Sequence, residues 1–355
     1  MESESNIIIE ANNLTKVYGN NKAVSDISFK IEKGRIYGFL GPNGAGKSTT
    51  MNMMTGCLSS TKGNVTVGGY DILEEPEKAK KLIGYLPELP PLYMDRTPYE
   101  YLKFVAEAKR VPRSEMASQL EYVMEVTNIK DVSDRLIKNL SKGYKQRVGV
   151  AQALLGDPEV VILDEPTVGL DPRQIIEIRD LIKELGKKHT VILSSHILSE
   201  VQAVCDMIII ISKGKLIACD TPERLECMFE GVPSIQLVTE ADEKEARAII
   251  DKAGIKGKLS FSTEDTHTKI VIDMEKNDNE TEKTDKIEMD EILKKLFFAF
   301  ADAKKVIFEM SSSKASLEDI FIELTSSDSD DNSDTADEEI IDDDREDDEE
   351  GDKKE

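Results

Sequence analysis

The stretch that most constrains this chain is Gly41-Pro42-Asn43-Gly44-Ala45-Gly46-Lys47-Ser48, which follows the apolar run Ile36 to Leu40 and fits G-x-x-x-x-G-K-[ST]. The spacing carries a mechanism. Glycines let a tight loop turn its backbone N–H groups inward around phosphate oxygens, and a helix that begins near Lys47 aims its positive dipole end at the same oxygens. The Lys47 ammonium then reaches the β and γ phosphates and the Ser48 hydroxyl is placed to ligand Mg²⁺, with Thr49 counted in the same nucleotide-binding set. This reading requires a buried strand before the loop and a helix after it. The sequence supplies both, so a nucleoside triphosphate site is the expectation.

Length frames what surrounds the loop. At 355 residues the chain exceeds one small core and suggests two domains, or one large domain with additions. The formal charge of −24 is uneven, because Ser326 to Glu355 holds 17 acidic and 3 basic residues, a net −14 that leaves −10 for the rest. Without Lys and Arg clustered on a face or stripe, no nucleic-acid partner is expected. Cys57, Cys205, Cys219 and Cys227 form no C-x-x-C pair, so reduced thiols are expected rather than zinc or a disulfide framework. Met1 to Asn6 lacks the basic n-region of a secretory signal. The most apolar short run, Met207 to Ile211, falls far below the ~20 residues of a membrane span, so any membrane contact is expected to run through a partner.

Taken in order, Ile7 to Ala11 and Val24 to Ile31 read as strands of a small antiparallel layer, with Tyr18 in the turn between them. At that position an aromatic ring either caps the core or stacks on a base. Lys47 to Thr55 is helical, Asn64 to Val67 a short strand, and Pro76 to Leu82 a short helix leading to the strand Ile83 to Leu86. From about Pro98 to Leu155 the apolar period is helical, which marks a helical insert. Val160 to Leu163 reads as a central parallel strand followed at once by Asp164-Glu165. Helix Gln174 to Lys187, strand Thr190 to Leu193, helix Ile197 to Val204 and strand Met207 to Ile211 continue a βα alternation, closed by the strand Lys215 to Ala218.

From Pro233 the pattern changes to βαββαβα: strand Ile235 to Val238, helix Glu243 to Ala253, strands Leu259 to Ser262 and Lys269 to Met274, helix Lys286 to Ala301, strand Lys305 to Met310 and helix Leu317 to Leu324. This resembles a ferredoxin-like module with a polar loop from Glu275 to Thr284. The segment from Ser326 is expected to be disordered, since Ile340 and Ile341 are its only large apolar residues.

Four downstream stretches follow the phosphate loop. They are Leu140-Ser141-Lys142-Gly143-Tyr144, Val161 to Thr167, Gly169-Leu170-Asp171, and His196 just past the next strand. Their order and spacing resemble the ATP-binding subunit of an ABC transporter, over residues 7 to about 230. The resemblance implies an α/β fold: a P-loop NTPase parallel sheet with an antiparallel β subdomain and a helical insert, plus a small α+β C-terminal module and an acidic disordered tail. The corresponding units are 1–230 for the ATP-binding domain with its insert at about 88–155, 231–325 for the accessory domain, and 326–355 for the tail.

The resemblance also implies roles. Asp164 holds Mg²⁺, Glu165 orients or deprotonates the attacking water, and His196 contacts the γ-phosphate of ATP. Tyr18 matches the adenine-stacking aromatic. Ser141 and Gly143 match the signature that meets ATP bound to a second subunit, and Asp171 communicates across that interface. A homodimer of ATP-binding subunits with two composite sites follows, driving a separate integral membrane permease. The subunit is expected to be cytoplasmic, peripheral on the inner face of the cell membrane through that permease.

Three positions depart from the family pattern. Lys142 and Tyr144 stand where the signature has glycine and glutamine, and Glu88 stands where the family has a glutamine near the metal. The segment Leu89 to Tyr93 lies where the family docks its membrane subunit. The C-terminal module resembles the appendage of the ABC-2 type, mostly exporters. The rival reading is a soluble ABC ATPase acting on ribosomes or DNA, but such proteins generally carry two cassettes or a long coiled-coil insertion.

Overall fold

The computed structural model describes residues 6–229, 234–255, 257–264, 267–273 and 282–313. The expected helix Leu317 to Leu324 and the acidic tail lie outside the described residues. Strands β1 (Ile7–Tyr18) and β2 (Asn21–Glu32) form a hairpin, and β3 (Ile36–Leu40) leads through the phosphate loop into helix α1 (Lys47–Met54). β4 (Lys62–Val67) and β5 (Tyr70–Asp71) return to the hairpin and complete an antiparallel sheet of order β2-β1-β4-β5.

After α2 (Pro76–Lys81), β6 (Ile83–Leu86) enters the helical insert: α3 (Pro98–Ala108), α4 (Arg113–Val126), 3₁₀ turns at Lys130–Val132 and Ile137–Asn139, and α5 (Lys142–Leu154). Then come β7 (Val160–Leu163), α6 (Pro172–Gly186), β8 (Thr190–Ser195), α7 (Leu198–Gln202), β9 (Met207–Ser212), β10 (Lys215–Asp220) and α8 (Pro222–Phe229). The larger sheet has the order β10-β9-β3-β8-β7-β6, parallel except for the antiparallel edge pair β10 and β9.

β1 runs on to Tyr18, so this tyrosine ends a strand and does not sit in the turn. The sequence pattern stops at Ala11 because the ladder is irregular there. Its register shifts between Ala11 and Leu14, and Asn13 and Asp26 hold left-handed φ values of 50° and 56°. Asn13 Nδ2 donates to Asp26 Oδ1 at 3.0 Å, so two polar residues stabilise a bulge that interrupts the period of two.

The parallel sheet divides two cores. Val161, Leu163, Ile208 and Ile210 join the core under the helical insert, while Val160, Ile162, Ile209 and Ile211 join the core of the antiparallel sheet. A strand buried on both faces has to be apolar at every position, which is why these runs show no alternation. The insert is tied down at the end of α5, where the Lys109 ammonium donates to the carbonyls of Gln152 and Ala153 at 3.1 Å and of Leu155 at 2.7 Å. These are the carbonyls a helix leaves open at its C-terminus.

The C-terminal module has β11 (Ser234–Thr239), α9 (Glu243–Lys252), β12 (Lys258–Glu264), β13 (His267–Asp273), α10 (Glu282–Asp302) and β14 (Ile307–Ser313). Its sheet is antiparallel with the order β12-β13-β11-β14, the split βαβ arrangement expected, around Leu237, Ile250, Ile270, Leu296 and Phe300. α10 starts at Glu282, inside the stretch expected to be a polar loop. Glu282-Lys283-Thr284-Asp285-Lys286 has no apolar residue to mark a helical face, so periodicity finds the helix only later.

The sheet's role as a packing wall is open to test at Phe39, which is fully buried with its ring edge-on to Phe29 at 5.3 Å between centroids. Phe39→Ala is predicted to destabilise the fold by about 3–5 kcal/mol in urea unfolding. A cost below about 1 kcal/mol would contradict this packing.

Candidate functional site

Three neighbouring strands place the site. β3, β8 and β7 run parallel in register, with Leu40 opposite Ser195 and Leu163 opposite Leu193, so the segments leaving them emerge side by side. The phosphate loop leaves β3, His196 follows β8, and Asp164-Glu165 follows β7. This is the carboxyl edge of an open α/β sheet, where ligands bind.

Gly46 shapes the loop. It caps α1 with φ 101°, and a Cβ there would lie 2.6 Å from the Ala23 carbonyl oxygen, so only glycine fits. Gly41 and Pro42 contribute their carbonyls, which accept from the Lys47 ammonium at 2.8 and 3.2 Å, and Pro42 also accepts from Ala45 N at 3.2 Å. Lys47 is thus buried but fully engaged. Asn43, Gly44, Gly46, Lys47, Ser48 and Thr49 line a cavity of about 330 Å³, closed by Ala23, Glu88, Glu165, Val168 and His196.

The carboxylates are held from β8. Ser194 Oγ donates to Asp164 Oδ1 at 2.6 Å and accepts from Glu165 N at 2.8 Å. Ser48 Oγ donates to the same Asp164 oxygen at 3.2 Å. Glu165 has a left-handed φ of 46°, a conformation that costs a non-glycine residue energy and persists only where the surroundings impose it. This conformation accompanies a carboxylate turned into the site, with Oε1 3.3 Å from Lys47 Nζ and Oε2 3.0 Å from His196 Nδ1. Burial first, and then the Asp164 charge, push the phenol of Tyr85 up, so it stays neutral and donates to Asn52 Oδ1 at 3.1 Å.

Sequence reasoning missed Ser194 and also Glu200. The buried Glu200 carboxylate accepts from Thr167 Oγ1 at 2.6 Å and from Ser195 Oγ at 3.1 Å. It therefore links the segment after Glu165 to the residue before His196. The donor set suits a hard cation: Ser48 and Asp164 offer oxygen atoms beside the cavity, and among the described residues no cluster of three or more His, Cys, Asp or Glu forms a protein-only cage. Mg²⁺ characteristically takes few protein oxygens and completes its shell with water and phosphate.

Ser141, Gly143 and Asp171 are brought together, but elsewhere. They line a second cavity of about 270 Å³ with Arg147, Gln174 and Glu177, and none of the three lines the first. Ser141 caps α5 by accepting from Tyr144 N at 3.3 Å, and Asp171 caps α6 by accepting from Gln174 N at 2.9 Å. Gly143 lets the two helix starts approach, because a Cβ there would meet the Gln174 side chain at 2.7 Å. Tyr144 donates its hydroxyl to Asp131 Oδ2 at 3.0 Å, anchoring α5 to the 3₁₀ turn Lys130–Val132. Tyr18 is half exposed with the Lys16 ammonium 5.3 Å from its ring centroid, and it does not line the first cavity.

The ABC transporter family profile matches residues 24–168. The chain is 44% identical over 212 residues to the uncharacterized ABC transporter ATP-binding protein YhcH of Bacillus subtilis (strain 168), across 59% of this chain and 68% of that protein. To the bacitracin transport ATP-binding protein BcrA of Bacillus licheniformis it is 39% identical over the same length, again across 59% and 68%. Among solved structures, cbiO1 of Clostridium perfringens, part of the ABC transporter complex cbiONQ, aligns with a TM-score of 0.58 and 27% identity over 70% of this chain and 96% of that one.

The Glu200 link generates a prediction. Glu200→Ala leaves two buried hydroxyls without their acceptor and should cost about 1–3 kcal/mol in thermal unfolding. An unchanged melting temperature would show that Thr167 and Ser195 do not depend on Glu200.

Proposed function

Because the chain belongs to the family of ABC transporter ATP-binding proteins, we propose that two copies of it pair around two MgATP molecules and drive a separate integral membrane permease in export. ATP binding and hydrolysis are the activity of this ATPase family. The observation that carries the shared-site reading is the separation of the two cavities. One holds Lys47, Ser48, Glu165 and His196, and the other holds Ser141, Gly143 and Asp171. A single chain carries the two halves as separate cavities with no lining residue in common, and a second copy turned to face it would complete two sites.

In this reading the loop N–H groups and the α1 N-terminus hold the phosphates, with the Lys47 ammonium on the β and γ oxygens. Ser48 and Asp164 would hold Mg²⁺, which when bound neutralises charge on those oxygens. Glu165 orients the attacking water and accepts its proton. His196, hydrogen-bonded to Glu165, keeps that carboxylate aimed and reaches the γ-phosphate. Ser141 and Gly143 of the second copy present the start of α5 to the same phosphate, and Asp171 sits where the copies meet. Tyr18 is assigned to the adenine ring. Glu88 faces the same cavity and stands as a metal-side group.

Coupling needs a surface that reports the state of the site. Leu89, next to Glu88, is 83% exposed, and Tyr93 and Met94 are half exposed, which gives the permease an apolar patch beside the nucleotide cavity. ATP can drive the permease only by binding the closed pair more tightly than the open one. Among the described residues no helix is long and apolar enough to cross a membrane, which fits a peripheral subunit held at the inner face by its permease.

The units are proposed as 1–230, 231–325 and 326–355. A single phosphate loop, a short helical insert and relatives named for transport favour this reading over a ribosome- or DNA-directed ATPase.

Glu165→Gln is expected to bind ATP, accumulate paired chains by light scattering and lose turnover by about 10²–10⁴-fold. Hydrolysis at the wild-type rate in that variant would show that Glu165 is not the base.

A further inference from the structure

The C-terminal module carries a surface that the ATP chemistry does not use. α9 and α10 bury Ile250, Leu296 and Phe300 against their sheet, while their outer sides form a groove of about 580 Å³. Ile249 and Phe298 lie among four alanines there, and Lys252, Lys294 and Lys295 add positive charge against one carboxylate, Asp302. Phe298 is 62% exposed, an unusual position for a ring on a helix that already buries Leu296 and Phe300. Among the described residues none of the three lysines is ion-paired with a carboxylate. An apolar groove edged by such cations calls for a ligand with apolar side chains between carboxylates.

We propose that the occupant is the chain's own acidic tail, seated through Ile340 and Ile341. These two are the only large apolar residues between Ser326 and Glu355, and they lie between Asp337-Glu338-Glu339 and Asp342-Asp343-Asp344. The tail thus repeats the groove's pattern with the opposite charge. Reach does not limit it. Ile340 lies 27 residues beyond Ser313 at the end of β14, and even with the expected helix Leu317 to Leu324 formed such a segment spans up to about 75 Å, roughly twice the length of α10. Tethering makes the local concentration of order millimolar, so a contact too weak to detect between separate molecules is populated within one chain. An anionic membrane would also attract the lysines, but it would repel the adjoining tail, whose net charge is −14.

Carbodiimide cross-linking of the full chain, read by mass spectrometry, tests the proposal. The expected products join Lys252, Lys294 or Lys295 to carboxylates within 337–344. They should disappear in the Ile340→Ser/Ile341→Ser double variant, with ATP hydrolysis unchanged. Cross-links spread along the whole tail, or undiminished by the double variant, would mean unspecific charge attraction and overturn the seating. Vesicles containing phosphatidylglycerol provide the second arm. Removing residues 326–355 should increase vesicle binding, and Lys294→Glu/Lys295→Glu should reverse that increase. Binding of the full chain that equals that of the shortened chain, and is lost on the same lysine changes, would show the groove open and contradict the proposal.

Discussion

The Ser194 hydroxyl joins the ends of two strands, donating to Asp164 Oδ1 and accepting from Glu165 N. The site depends on that bridge. It forms because β7 and β8 are parallel and in register, so residues distant in sequence end at one level. With the bridge in place, Glu165 holds a backbone conformation it would otherwise avoid, and its carboxylate reaches both Lys47 and His196. Glu200 adds a second tie below the first, through Thr167 and Ser195.

The electrostatics follow from burial. Lys47 and Glu165 are each under one tenth exposed, and a charge in that setting has to be paired or hydrogen-bonded. Lys47 meets this condition through two carbonyls and Glu165, and Glu165 through Lys47 and His196. Phosphate brought to the loop would enter the same network of Lys47, Glu165 and His196. The loop lysine and the Glu165 carboxylate are thus joined through one ammonium group.

Much of this is legible in the sequence, for identifiable reasons. The strands around the loop announce themselves as unbroken apolar runs, and the loop by glycines at fixed offsets. The pattern of β1 breaks off at Ala11 because a polar bulge hides its period, and the first turn of α10 is hidden because it is charged and polar throughout. Ser194 and Glu200 escape because neither belongs to a spacing rule; each acquires meaning only when β8 pairs beside β7. A faint signal exists at Glu200, an acid between the buried Leu198 and Val201 of α7. The separation of Ser141 from Lys47 follows from the family resemblance, and the two cavities give it a geometric form.

The central claim is that each site is divided between two chains, and mixing tests it most directly. Lys47→Ala damages the half that holds phosphate, and Ser141→Arg damages the half supplied to the neighbour. Each variant alone should be inactive. A dimer with one chain of each has one site damaged twice and one site intact, so an equal mixture should recover phosphate release. If the mixture stays as inactive as either variant alone, or if Ser141→Arg hydrolyses ATP without a partner, the divided site is contradicted.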